Sequence, residues 1–171
     1  MRRPMRLLAV VLGLAALPAL AADPVPEIHR DPATAQAVGA AHTLRAIPEA
    51  CARLEGMFTG EAAQPYRFNV VKTSPNCQPR ARLVDAGKAK PSQAKGWTFN
   101  DLIRVPSAAC PSQQAVVRVW HKAAAAQPPA LDGQGRARVY LQDSKAKADA
   151  GALAAVPTYA VAFALEGKAC H

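Results

Sequence analysis

The segment that most clearly indicates the fold is Thr158-Tyr-Ala-Val-Ala-Phe-Ala-Leu-Glu166. Large side chains at Tyr159, Val161, Phe163 and Leu165 alternate with alanines at the positions between them. A period of two places successive side chains on opposite faces of a β-strand. Because both faces are apolar, we predict a strand that is buried on both sides, with another element packed closely over the alanines.

Similar alternation elsewhere predicts further strands. We assign them to Thr43–Ile47, Tyr66–Val71, Arg82–Val84, Trp97–Val105, Ala115–Lys122 and Arg136–Gln142. Prolines and glycines in the stretches 86–96 and 123–135 indicate loops between them. Short strands separated by such loops favour an antiparallel sheet.

One segment follows a helical period instead. After Pro48, apolar residues recur at helical spacing at Cys51, Leu54 and Met57 or Phe58. We therefore predict a main helix, Pro48–Phe58, with one face towards the core. A short helix at Asp143–Ala155, capped by its aspartate, is a candidate to cover the alanines of the last strand. The predicted fold class is α+β, with an antiparallel sheet of about five or six strands, the main helix packed on one face, and two disulfides.

The N-terminus has the three-part layout of a secretory signal peptide. Three arginines precede the apolar run Leu7–Leu20, and small residues follow it before the acidic Asp23. We predict a signal peptide at 1–22, a flexible lead-in at 23–41 and a single globular α+β domain at 42–171. Within the lead-in, Asp31-Pro32 is an alternative start for a short helix that ends at Gly39.

Four cysteines predict two disulfides, because an exported chain folds in an oxidising compartment. Three connectivities are open. We favour Cys51–Cys77 with Cys110–Cys170, since the first closes a short unit and the second fastens the end of the chain. No Cys-x-x-Cys motif occurs, and no second ligand pair accompanies Cys170-His171, so neither a metal site nor a cofactor is predicted.

Charge is distributed unevenly along the predicted mature chain. Residues 23–61 sum to −3, whereas residues 62–171 sum to +9 with histidine neutral. A basic surface attracts anionic partners and accelerates their encounter. Solvated charge on an ordinary surface is the alternative explanation.

Two predicted strands place basic and aromatic residues on one face. If both are strands and neighbours in the sheet, Val117 and Val119 point inward and the outward residues form a cationic patch with two aromatics. These candidate ligand-binding residues are Arg118, Trp120, Lys122, Arg136, Arg138 and Tyr140. Guanidinium groups bind phosphate or carboxylate through paired donors, and aromatic rings stack on sugars or bases. A solvated face with Trp120 covered by the loop at 123–135 is the alternative.

Enzyme motifs are absent from the sequence. It contains no Gly-x-Ser-x-Gly elbow, His-Glu-x-x-His motif or phosphate-binding glycine loop. His121 could serve as a general base if it paired with Asp101 or Asp143. After residue 22 no stretch is apolar enough to span a bilayer.

We favour a periplasmic or secreted, non-enzymatic protein that binds an anionic envelope component or an acidic protein. Nucleic acid is a less favoured partner. The alternatives are a small envelope hydrolase that acts on peptidoglycan or polysaccharide, and a structural accessory subunit of an envelope complex.

Overall fold

The computed structural model describes residues 24–77, 79–124 and 156–170. Three predicted features lie outside the described residues: the signal peptide at 1–22, the strand Arg136–Gln142 and the helix Asp143–Ala155. Six of the seven predicted strands lie inside them, and all six are confirmed to within a few residues.

The first sheet has three antiparallel strands in chain order. They are β1 (His42–Ile47), β2 (Ala52–Phe58) and β3 (Tyr66–Lys72). A 3₁₀ helix at Pro48–Ala50 joins β1 to β2. The connection ends at Cys51, whose φ of 52° lies in the left-handed region and turns the chain back into β2.

The predicted main helix Pro48–Phe58 is therefore wrong. Leu54 and Phe58 are four residues apart, a spacing that fits one face of a strand as well as one face of a helix. The residue between them on that face, Gly56, has no side chain, so the period of two is hidden in the sequence. Alternate residues of β2 from Ala52 to Phe58 are buried, as expected for a strand.

The second sheet has four strands in the order β4-β7-β6-β5. They are β4 (Arg82–Asp85), β5 (Thr98–Pro106), β6 (Gln113–Lys122) and β7 (Thr158–Gly167). β4 and β7 are parallel, and the other pairs are antiparallel. The segment expected to be a loop at 86–96 contains the helix α1 (Ala86–Ala89) and a 3₁₀ helix at Gln93–Lys95, which corrects that prediction.

One apolar cluster lies between the two sheets and forms the main core. Its buried members are Leu44, Ile47, Leu54, Phe58 and Tyr66 from the first sheet and Ile103, Val105, Ala115, Val117 and Val119 from the second. The architecture is thus mostly β, with two sheets packed face to face, rather than one sheet of five or six strands covered by a main helix. The second sheet takes the place that the sequence analysis gave to the helix.

β7 has packing contacts on both faces, but only Ala160 is buried and Phe163 is exposed, so the prediction of a strand buried on both sides is confirmed in part. Tyr159, Val161 and Leu165 pack against the main core. On the opposite face Ala160 is fully buried against Ala86 of α1 and Trp97. A small side chain at this position leaves room for the short helix to approach the sheet.

Tyr66 and Gly56 are complementary neighbours in the first sheet. The Tyr66 side chain is buried, and its hydroxyl lies 3.0 Å from Nε2 of His42. Because Nδ1 of His42 lies 3.1 Å from the carbonyl oxygen of Ala40, Nδ1 donates there, and in the neutral ring Nε2 accepts from Tyr66. A Cβ at Gly56 would overlap the Tyr66 hydroxyl, so only glycine fits.

The segment at 24–41, expected to be a flexible lead-in, lies along the outer edge of β5. Its amides at Glu27, Ile28, Ala33 and Gln36 donate to carbonyl oxygens of β5, with donor–acceptor distances of 2.8–2.9 Å. No helix forms at Asp31–Gly39, which corrects the alternative prediction. The extended backbone is favoured there because it supplies donors to an otherwise unpaired sheet edge.

Both predicted disulfides are confirmed. Cys51–Cys77 connects the start of β2 to the segment after β3, and Cys110–Cys170 connects the β5–β6 turn to the segment after β7. The Cα–Cα distances are 5.8 Å and 5.6 Å. Each sheet therefore has one covalent crosslink.

Candidate functional site

The predicted basic and aromatic residues of β6 share the outer face of the four-stranded sheet. Val117 and Val119 are fully buried in the main core, so Arg118, Trp120 and Lys122 project to the opposite side. The predicted partners of these residues, Arg136, Arg138 and Tyr140, lie outside the described residues. Their part of the candidate site stays a prediction.

Two of the three β6 residues have structural contacts. An Arg118 guanidinium nitrogen donates to the Glu166 carboxylate at 2.9 Å, across the sheet. Trp120 packs against Phe99, with ring centroids 4.8 Å apart, and also contributes to the cluster around Trp97. Only Lys122 of this group is an exposed cation without an ion pair among the residues that the structure describes.

Three further exposed lysines lie on the segment after β4, whose Gly96 and Trp97 lie near the Lys122 side chain. We define the lysine cluster as Lys88, Lys90, Lys95 and Lys122, all of which are exposed. Nζ of Lys95 donates to the carbonyl oxygen of Lys90 at 3.2 Å, and Nζ of Lys122 lies 5.9 Å from the ring centroid of Trp97.

Local sequence explains how this segment folds. Asp85 caps α1, because its carboxylate accepts from the Gly87 amide at 2.7 Å. The helix ends at Lys90, with a φ of 46°, and the following 3₁₀ helix ends at Gly96, with a φ of 75°. Trp97 then enters the cluster of buried residues and anchors the segment to the sheet.

The charges of the lysine cluster are not balanced by ion pairs in the part of the chain described. None of its four members forms an ion pair within the described ranges 24–77, 79–124 and 156–170. The stretch 86–97 contains three lysines and no acidic residue. The sequence analysis missed this group because it treated the stretch as a loop and examined only residues on predicted strands. The charge pattern itself was a usable signal.

A second polar group lies at the side of the core, around Asp101. This carboxylate is fully buried, and its Oδ2 accepts from Arg30 at 2.6 Å and from Arg45 at 3.2 Å. Arg45 also donates to Oδ1 of Asn100 at 2.5 Å. The other carboxylate oxygen, Oδ1 of Asp101, has no hydrogen-bond partner in the part of the chain described.

Tyr159 and His121 lie beside this ionic group. Their rings are 4.9 Å apart, and Cζ of Arg45 lies 6.0 Å from the Tyr159 centroid. Burial raises the pKa of Tyr159, Glu49 raises it further, and Arg45 opposes both effects. Asp101 is bound by two arginines and not by His121, so the His121–Asp101 pair is not formed, and Asp143, the other predicted partner of His121, lies outside the described residues.

The described residues give no indication of a metal centre or a membrane-spanning helix. Within them, no group of three or more histidine, cysteine or acidic residues is arranged to hold a metal ion. None of the helices in those same ranges has the length and apolar content that a membrane crossing requires.

Comparison of the chain with models of protein families, with curated proteins and with solved structures finds no match in any of the three. The chemistry of the residues therefore carries the functional argument.

Proposed function

We propose that this chain is an exported, non-enzymatic binding protein that engages an anionic component of the cell envelope. The observation that carries the proposal is the lysine cluster, four exposed lysines on the segment after β4 and at the end of β6 that form no ion pair among the described residues. Mutual repulsion makes such a cluster unfavourable in isolation, and an anionic partner relieves it.

The form of the cluster favours an extended partner. Lysine ammonium groups are compact charges on flexible stems, so they adapt to an irregular array of phosphates or carboxylates. Near an anionic surface each such residue contributes about 1 kcal/mol. Lipopolysaccharide, anionic phospholipid and acidic polysaccharide all present arrays of this kind, and we favour them over an acidic protein.

Export and a periplasmic or secreted location belong to the same proposal. Two disulfides support them, because structural disulfides persist in oxidising compartments and are rare in the cytosol. The predicted signal peptide at residues 1–22, with three arginines before an apolar run, also supports export.

The experiment measures binding to vesicles that contain phosphatidylglycerol and to immobilised heparin over a range of salt concentrations. We expect binding to weaken steeply as salt rises, because exposed charges are screened beyond about 8 Å at 0.15 M ionic strength. Vesicles of phosphatidylcholine alone are expected to bind weakly.

A matched pair of double variants tests the location of the site. Lys90→Glu with Lys122→Glu reverses two charges of the lysine cluster, and Arg67→Glu with Lys72→Glu reverses two exposed charges on β3. Both variants have the same net charge. We expect the first to weaken binding about tenfold or more and the second to weaken it by less than about threefold. Equal losses would show that net charge alone controls binding and would contradict the proposed site.

A third variant addresses the rest of the predicted face. Arg136→Glu with Arg138→Glu should reduce binding if these two residues extend the basic surface. Unchanged binding would remove them from the candidate site.

A further inference from the structure

A groove that is separate from the lysine cluster lies on the side of β5 opposite the main core. An open groove of about 840 Å³ separates the start of the N-terminal segment from the outer face of β5. Its volume is within the range that small-molecule sites occupy. No member of the lysine cluster lines it, so it is a separate site and does not depend on the proposed function.

Basic residues form part of the lining of this groove. Arg30, His29 and Arg104 line it, together with a single acid, Asp31. Arg104 forms no ion pair within the residues described by the structure. The nearby acid Glu27 is not part of the lining, and its carboxylate accepts from Asn100 at 2.7 Å.

Arg30 is oriented before any ligand arrives. One of its terminal nitrogens, Nη2, donates to buried Asp101 at 2.6 Å, and its side chain remains 35% exposed. A guanidinium group has five N–H donors, so the contact with Asp101 does not use all of them. An arginine fixed by a second contact loses less side-chain freedom when it binds an anion.

The same groove has an apolar component. Val25 is 76% exposed at its rim, and the side chain of Leu102 forms part of its wall beside Ile28. Aliphatic groups next to guanidinium groups suit a ligand with an apolar chain and an anionic end. They do not suit a fully hydrated inorganic ion.

We propose that this groove binds an amphiphilic oxyanion, a single carboxylate or phosphate group attached to an alkyl chain. Arg30 and Arg104 bind the oxygen atoms of the head group through paired N–H donors, a geometry that guanidinium groups favour. Val25, Ile28 and Leu102 contact the alkyl chain.

The test is titration calorimetry of the full chain with octyl phosphate and with octanoate, both below their critical micelle concentrations. Inorganic phosphate and octyl glucoside test the two halves of the ligand separately. We expect saturable 1:1 binding of at least one of the two amphiphilic anions, and binding of inorganic phosphate and of octyl glucoside about tenfold or more weaker. The proposal would be overturned if neither octyl phosphate nor octanoate bound. It would also be overturned if inorganic phosphate or octyl glucoside bound as tightly as these two anions.

Variants of Arg104 test whether the amphiphilic anion binds in this groove. Arg104→Gln should weaken binding of the amphiphile about tenfold, whereas Arg67→Gln on β3 should leave it unchanged. Arg104→Lys retains the charge but not the paired donors, and is expected to give an intermediate loss. This variant keeps the test valid if Arg104→Gln folds poorly. Arg30 is left intact, because its loss would leave Asp101 with a single arginine. Equal affinity in wild type and in both Arg104 variants would contradict the site.

The outcome is separable from that of the proposed function. Lys90→Glu with Lys122→Glu, which tests the lysine cluster, should leave octyl phosphate binding unchanged, and loss of amphiphile binding in that variant would count against a separate groove site.

Discussion

At the scale of single residues, Asp101 connects three parts of the molecule. Its carboxylate accepts from Arg30 of the N-terminal segment and from Arg45 of β1, while its own backbone belongs to β5. A buried carboxylate is tolerated only where its charge is compensated, so the two arginines and Asp101 depend on one another. A break in the register of β5 between Phe99 and Asp101 accompanies this inward position.

Asp101→Asn should destabilise the protein by about 1.5 to 3 kcal/mol, because it removes the charge from the hydrogen bonds that Arg30 and Arg45 donate to a buried acceptor. The measurement is urea denaturation with both disulfides intact. Glu55→Gln is the matched control. Glu55 pairs with Arg53 at the surface, and exposed pairs contribute about 1 kcal/mol or less. Similar losses in the two variants would show that burial does not strengthen the Asp101 contacts.

Tyr66 makes stability dependent on alkaline pH. Burial raises the pKa of its phenol above the ordinary value of 10.0. The unfolded chain therefore loses this proton at lower pH than the folded chain, so the contribution of Tyr66 is intact below pH 10 and declines as the pH rises above it. Tyr159 acts in the same direction, because burial also raises its pKa.

We expect the free energy of unfolding to decrease as the pH rises above about 10, and Tyr66→Phe to make the decrease shallower by up to about 1.4 kcal/mol per pH unit. Urea midpoints at several pH values measure this slope. The slope, rather than the absolute stability, is compared, because the variant also loses the hydrogen bond to His42. An unchanged slope would mean that Tyr66 does not titrate differently in the two states.

At the scale of elements, the sequence predicted those strands in which large apolar side chains alternate. It did not predict β2, because Gly56 interrupts the pattern and the remaining apolar residues also fit a helix. It did not predict α1, whose four residues are too few to show a helical period. The lead-in lacks alternation altogether, since its position is determined by backbone hydrogen bonds that carry no side-chain signature.

The candidate site was partly predictable for a similar reason. The period of β6 placed Arg118, Trp120 and Lys122 on one face correctly. The partner of Arg118, Glu166, lies 48 residues away along the chain, and no local pattern indicates it. The segment that carries the three other lysines lies near Lys122 because Trp97 packs onto the sheet, and no local pattern indicates that contact.

The N-terminal segment should behave as a strand in solution. We expect the amides of Glu27, Ile28, Ala33 and Gln36 to exchange with solvent about a hundredfold or more slowly than those of Ala62 and Ala63 in an exposed turn. Hydrogen exchange followed by NMR measures each amide separately. Exchange of the four amides at the rate of an unstructured peptide would support the flexible lead-in that the sequence suggested.

At the scale of the whole molecule, each of the two sheets is stabilised by its own disulfide. They close loops of 26 and 60 residues. On the chain-entropy model these crosslinks stabilise the fold by about 3.5 and 4.3 kcal/mol respectively. The longer loop therefore contributes more, although it fastens only the last strand.

Replacing each cysteine pair with alanine tests this order. Cys110→Ala with Cys170→Ala should destabilise the protein by about 0.7 kcal/mol more than Cys51→Ala with Cys77→Ala. Denaturation of both double variants gives the two values, and peptide mapping of the wild type confirms the pairing. The reverse order would show that native-state contacts, rather than loop length, determine the contribution of each crosslink.

The parallel pairing of β4 with β7 has a consequence for folding. The three strands of the first sheet and the β5–β6 hairpin each form from neighbouring segments of the chain, whereas β4 pairs with a strand that is distant in sequence. β4 ends at Asp85, and its parallel neighbour, β7, begins at Thr158. β4 is short and has charged residues, Arg82 and Asp85, at its ends. Both features discourage its unpaired edge from pairing with strands of other chains before β7 is in place. Closure of the second sheet therefore depends on a contact between strands that are far apart in sequence, and such contacts slow folding.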